Sequence, residues 1–157
     1  MGTYYIYASR FFLPSGIKDE GYLAVKEGKF GSYIKELPNE NEQVLDYSGK
    51  WITPGLVDTH IHGFKGHDVM DNDFEGIKAI SKGLLSCGVT SFLPTTLTSD
   101  IETLNQVSRT IGDHYQEVQG AKIRGIFFEG PFFTEEHKGA QNPRFFQDPN
   151  LEIFHHW

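Results

Sequence analysis

Residues 88–129 read GVTSFLPTTLTSDIETLNQVSRTIGDHYQEVQGAKIRGIFFE, and the change of hydrophobic period inside this stretch decides the fold class. Val89-Thr90-Ser91-Phe92-Leu93 is short, β-branched and aromatic, the composition of a strand. Ser99 followed by Glu102 forms a capping box, which predicts the start of a helix. Ile101, Leu104, Val107, Ile111, Tyr115 and Val118 then recur at helical spacing and predict one apolar face. Gly120 closes that helix, and Ile123 to Glu129 reads as the next strand. Strand, helix and strand in this order demand parallel pairing through a right-handed crossover.

The same pattern extends upstream. Ile52 to His62 reads as a strand and Gly63 to Gly66 as a loop. Phe74, Ile77, Ile80 and Leu84 lie at helical spacing, with Asn72 and Glu75 as the expected cap and Gly88 as the stop. The β-α-β-α-β order defines an α/β class, which doubly wound sheets and (β/α)8 barrels both satisfy. The glycine-rich phosphate fingerprint of a dinucleotide fold follows none of the three strands. Residues 1–50 read instead as a small β segment. Tyr4–Tyr7 and Arg10–Leu13 are two short strand candidates, punctuated by Pro14-Ser15-Gly16. Tyr22–Val25 and Phe30–Ile34 flank Lys26-Glu27-Gly28-Lys29, a hairpin turn with a glycine for the positive-φ position. Gln43–Tyr47 is a further strand candidate. The expected organisation is therefore 1–50 as β segment and 51–157 as α/β segment.

Bulk properties narrow the function classes. The 157 residues are 38% hydrophobic, enough for a packed core, and their net charge of −7 comes with no basic stripe. Nucleic-acid surfaces need clustered positive charge, so that class is excluded. Cys87 is the single cysteine, which rules out an internal disulfide and fits a reducing compartment. No apolar run approaches the roughly 18 residues of a membrane span. The opening MGTYYIYASR lacks the basic and apolar regions of a secretory signal. These features predict a cytoplasmic protein that neither crosses nor binds a membrane.

Chemistry concentrates at strand ends. His60 and His62 are two apart on a strand, so they share a face while Ile61 points the other way. Two neutral imidazoles there suit a divalent metal. An isolated HxH also describes surface or hydrogen-bonded histidines. Glu129 ends the third strand after Ile126-Phe127-Phe128, where a carboxylate needs a cation or donors to offset desolvation. Loop backbone or an arginine would serve as well as a metal. Placement of all three at C-terminal strand ends, where α/β folds carry their chemistry, favours the metal. Other residues read as ordinary. His67 is expected in a solvated loop, and His137 and Lys138 in solvent. His114, His155 and His156 are expected on helix surfaces. Cys87 is expected to be packed, and Thr95-Thr96 to serve loop and packing roles.

With these residues in hand, Pro54-Gly55-Leu56-Val57-Asp58-Thr59-His60-Ile61-His62-Gly63 resembles the opening signature of the amidohydrolase superfamily. Gly88–Thr96, Glu129-Gly130-Pro131-Phe132 and Lys138-Gly139-Ala140-Gln141-Asn142-Pro143 are similar, more narrowly, to the N-acetylglucosamine-6-phosphate deacetylases. The resemblance implies a (β/α)8 barrel joined to a small β-sandwich. It implies hydrolysis of the N-acetyl group of a small phosphorylated amino sugar, N-acetylglucosamine 6-phosphate, by a homodimer. It implies a divalent metal, zinc or iron, with one or two ions per subunit. Glu129 matches the family's carboxylate ligand, and His60 and His62 match the pair that holds a second ion in members with two. Ala140 and Gln141 match a substrate-contacting position, where many relatives carry histidine in place of Gln141. The family's catalytic aspartate and two further histidine ligands are expected beyond residue 157, so no catalytic residue is assigned within the chain.

A complete (β/α)8 barrel takes about 250 residues, so residues 51–157 are expected to be its first three β/α units. Asp148 and Pro149 are expected as the cap and first position of a further helix, with Leu151 and Phe154 on its apolar face. The expectation is a truncated chain that is inactive alone. The alternatives are another amidohydrolase, such as a dihydroorotase or an adenine deaminase, and a non-catalytic fragment acting as a binding module.

Overall fold

The computed structural model describes residues 2–155 and 157. The chain divides into two compact units, Met1–Pro54 and Gly55–Trp157.

The first unit is one five-stranded sheet: β1 (Tyr4–Leu13), β2 (Gly16–Lys18), β3 (Gly21–Lys26), β4 (Lys29–Ile34) and β5 (Val44–Ile52). Tyr4–Tyr7 and Arg10–Leu13, expected as separate strands, form one continuous strand. It pairs antiparallel with β2 and β3 and parallel with β5, where the register shifts between Ala8 and Arg10. An irregularity of this kind turns side chains out of strict alternation. The step from Ala8 to Phe11 spans that shift, whereas Tyr5 and Ala8, three apart in regular register, are buried on opposite faces of the strand. Phe11, Ala8 and Leu23 form the core of this unit, with Tyr33 and Ile52 packed against it. The β3–β4 turn places both Glu27 (φ 52°) and Gly28 (φ 74°) in the left-handed region. That is the two-residue hairpin geometry whose twist matches the strands.

The second unit holds a parallel sheet. Here β6 (Leu56–Ile61) pairs with one side of β9 (Val89–Thr96). On the other side lie β10 (Lys122–Ile123) and β11 (Phe127–Phe128). The strand expected over Ile52–His62 is divided, because Ile52 closes β5 of the first sheet and Thr53-Pro54-Gly55 is unpaired. The strand expected over Ile123–Glu129 is also interrupted, since Arg124–Ile126 leave the ladder around Gly125 (φ 157°). The loop expected over Gly63–Gly66 is a miniature hairpin of β7 (Gly63–Phe64) and β8 (His67–Asp68).

Helices α1 (Phe74–Leu84) and α2 (Ile101–His114) cover this sheet. Their caps differ by one residue from the expected ones. Asp73, not Asn72, accepts the N–H groups of Glu75 and Gly76. Asp100, not Ser99, accepts that of Thr103. In both places the carboxylate outcompetes its neighbour because it meets the positive end of the helix dipole. Asn72 instead ends a 3-10 turn in the left-handed region. Ile77, Ile80 and Leu84 from α1 and Val107 and Ile111 from α2 enclose Phe92 of β9. Each such fully buried side chain contributes about 1.5–3 kcal/mol. Tyr115, expected on the same face, lies in a 3-10 turn and is exposed. The last helix, α3 (Leu151–Phe154), is capped by Asn150 rather than Asp148. Among the described residues no helix is long and apolar enough to cross a membrane.

Candidate metal centre

Parallel pairing on both sides of β9 brings the C-terminal ends of β6 and β11 to the same edge of the sheet. His60 and His62 arrive from β6, and Glu129 follows β11 directly. His60 Nε2 and His62 Nε2 are 3.2 Å apart. Glu129 Oε2 stands 3.3 Å from the first and 2.9 Å from the second. The three could hold a metal ion. Donors about 2.1 Å from a common cation lie about 3.0–3.4 Å from one another; two of the observed spacings fall in that range and the third, 2.9 Å, lies just below it.

Electrostatics make the same point. His62 Nδ1 is 3.1 Å from the carbonyl oxygen of Thr95. A carbonyl can only accept, so Nδ1 carries a proton, and in the neutral ring Nε2 presents its lone pair. That lone pair faces the Glu129 carboxylate at 2.9 Å. Two acceptors at that distance repel unless a cation or a second proton stands between them. Side-chain exposures of 48% for His60, 34% for His62 and 24% for Glu129 leave one side of the cluster open to an ion and to water.

Neighbouring groups hold these side chains in place. Asp58 Oδ1 accepts the His60 N–H at 3.1 Å. The Phe127 ring lies edge-on to His60, with centroids 5.0 Å apart. Thr98 Oγ1 donates to the Glu129 carbonyl at 3.2 Å, and the Thr98 N–H donates to Gln141 Oε1 at 3.0 Å. The amide oxygen of Gln141 is therefore committed to the end of β9, while Ala140 is exposed beside it. Thr95 and Thr98 had no functional reading from sequence. The only sequence signal was a run of hydroxyl residues, Thr95, Thr96 and Thr98, at the C-terminal end of a strand.

The remaining residues are dispersed. His67 is half-buried against Gly76 of α1 rather than solvated, because the β7–β8 hairpin folds it onto the helix. His137 is exposed and pairs with Thr134 Oγ1 at 3.0 Å. His114 pairs with Glu117 at 2.7 Å on the surface, and His155 is exposed. His156 lies outside the described residues. Cys87, expected to be packed, is exposed because the helix has already given way to a 3-10 turn at Leu85–Cys87.

No family model matches the chain. Curated relatives do. An N-acetylglucosamine-6-phosphate deacetylase of Lysinibacillus sphaericus is 30% identical over 144 residues, 91% of this chain and 37% of the relative. An N-acetylgalactosamine-6-phosphate deacetylase of Escherichia coli O157:H7 is 32% identical over 152 residues, 96% of this chain and 39% of the relative. The chain is similar to these deacetylases along nearly all of its own length and spans about two fifths of theirs. The deacetylase of Thermotoga maritima superposes on it with a TM-score of 0.75 at 27% identity, covering 100% of this chain and 39% of that one. The deacetylase of Mycobacterium smegmatis, solved in complex with N-acetyl-D-glucosamine-6-phosphate, gives a TM-score of 0.83 at 20% identity. That superposition covers 99% of this chain and 40% of the Mycobacterium one. The mixed α/β fold of the two units is thus that of solved deacetylases, over about two fifths of their length.

Proposed function

We propose that this chain carries part of the metal centre of an enzyme that hydrolyses N-acetylglucosamine 6-phosphate to glucosamine 6-phosphate and acetate. The observation that carries the reading is the convergence of His60, His62 and Glu129 on one point, with the His62 Nδ1 proton already engaged by Thr95. Glu129 is the central ligand, because its Oε2 lies near both imidazoles. His60 and His62 complete the set and hold the second ion where two are bound.

The ion is divalent, zinc or iron, and when bound it polarises an amide carbonyl and lowers the pKa of water to roughly 7. The chain's own residues supply the donors and their orientation. Thr95 keeps the His62 tautomer, Asp58 and Phe127 confine His60, and Thr98 anchors the backbone of Glu129. Ala140 and Gln141 lie on the segment proposed to meet the sugar, with Gln141 acting through its remaining amide N–H groups. The base that handles the water's proton is assigned to a part of the enzyme outside residues 1–157. The whole enzyme is read as a cytoplasmic homodimer with a (β/α)8 barrel and a small β-sandwich. Residues 1–50 contribute to the sandwich and 51–157 to the barrel.

A hybrid in which residues 1–157 replace the matching segment of the Lysinibacillus sphaericus deacetylase tests this reading. It should release acetate from N-acetylglucosamine 6-phosphate, and Glu129→Gln should remove metal and turnover together. Unchanged metal stoichiometry in that variant, by elemental analysis, would falsify the ligand assignment. The 32% identity to an N-acetylgalactosamine-6-phosphate deacetylase supports a second reading on substrate. Acetate release from the two sugar phosphates, compared in the same hybrid, decides between them.

A further inference from the structure

We propose that Thr95 is a positioning residue for His62, and that its hydroxyl governs how well the centre binds metal. The inference rests on the reading of His62 as a ligand. Thr95 is fully buried near the end of β9. Its Oγ1 accepts the N–H of Ile61 at 2.9 Å and donates to the carbonyl of Leu93 at 3.1 Å. Its own carbonyl accepts Nδ1–H of His62 at 3.1 Å. One residue thus holds both the backbone that precedes His62 and the ring of His62.

The local pairing explains why a hydroxyl is needed. The β6–β9 register is irregular between Asp58 and Ile61, and Ile61 stands opposite Pro94. Beside this break in register the Ile61 N–H finds an acceptor in the Thr95 hydroxyl. The Thr95 hydroxyl links the Ile61 N–H to the Leu93 carbonyl and ties the end of β6 to β9 where pairing resumes after the shift. Without it, the Ile61 N–H loses this acceptor, and the backbone that precedes His62 is held less firmly against the Thr95 carbonyl. Groups that orient a ligating histidine through its second nitrogen set its tautomer and basicity. Their loss lowers metal affinity roughly 10- to 100-fold.

The test uses the hybrid with the Lysinibacillus sphaericus deacetylase and compares the unsubstituted chain in it with Thr95→Val, which keeps the shape and removes the hydroxyl, and Thr95→Ser, which restores it. Zinc affinity is read by competition with a chromophoric chelator, and folding by circular dichroism. Thr95→Val should bind zinc about 10-fold more weakly, the low end of the range for such partners because the Thr95 carbonyl itself remains, while Thr95→Ser stays close to the unsubstituted chain. In the zinc-loaded unsubstituted chain, ¹⁵N shifts should show His62 bound through Nε2 with Nδ1 protonated, a readout that does not depend on any variant folding. Unaltered zinc affinity in Thr95→Val overturns the inference alone, as does Thr95→Ser behaving like Thr95→Val or His62 bound through Nδ1. Failure of the hybrid with the Lysinibacillus sphaericus deacetylase to take up zinc overturns the site reading and this inference with it. His62→Ala, which should weaken zinc binding whether or not Thr95 acts on His62, separates failure of the inference from failure of the site reading.

Discussion

Glu129 and the glycine after it show how closely the chain is fitted around the centre. Gly130 has φ 93°, and a Cβ built there would lie 1.9 Å from Thr98 Oγ1, the hydroxyl that holds the Glu129 carbonyl. Gly130→Ala therefore meets backbone strain and a clash in one step. The strain alone costs about 1–3 kcal/mol, and the displaced Thr98 should carry Glu129 away from the histidines. A urea titration should show the loss of stability, and chelator competition a weaker zinc site. Stability and affinity both equal to those of the unsubstituted chain would sink this account of the Glu129 anchor.

Capping is the term that most clearly separates the elements from one another. Asp73 accepts two backbone N–H groups at the start of α1, and Asp73→Ala should cost about 1 kcal/mol in a denaturant titration. Asp100 at the start of α2 adds a pH dependence. The backbone N–H of Thr103, then its hydroxyl, hold the Asp100 carboxyl below the ordinary value of 3.8. A folded-state pKa below the unfolded one stabilises fully above the unfolded value and is lost as pH falls through the folded one. The stability gap between the parent and Asp100→Ala should hence be complete at neutral pH and narrow below pH 3.8. A gap that stays constant from neutral pH to pH 3 would show that the charge contributes nothing. In the first unit the β3–β4 turn obeys a different rule. Gly28→Ala introduces a Cβ at φ 74° and should cost about 1–2 kcal/mol, read from the urea midpoint.

At the scale of the molecule the two units have separate apolar clusters, one around Phe11 and one around Phe92. Phe92 is fully buried between the sheet and both helices. Phe92→Ala should destabilise the second unit by about 3–5 kcal/mol and speed hydrogen exchange at the amides of Ile80 and Val107. The same centre depends on this packing, since β9 lies between the strands that bring His62 and Glu129. Zinc uptake should weaken in that variant even though no ligand is changed.

Sequence alone determined the periods. Apolar residues three and four apart make α1 and α2, and the His60–His62 spacing puts two imidazoles on one face, because these patterns follow from local backbone geometry. It did not determine which of two adjacent polar residues caps a helix, since Asn72 and Asp73, or Ser99 and Asp100, differ only in what their side chains reach after folding. Nor could it join Tyr4–Tyr7 to Arg10–Leu13, or break Ile123–Glu129, where register and an extended glycine decide. Tertiary structure alone decided that a carboxylate 69 positions along the chain from His60 stands 3.3 Å from it. It also decided that Thr95 holds His62 from the strand between them. The physical reason is that such contacts depend on the order in which parallel strands lie side by side, which no local pattern encodes.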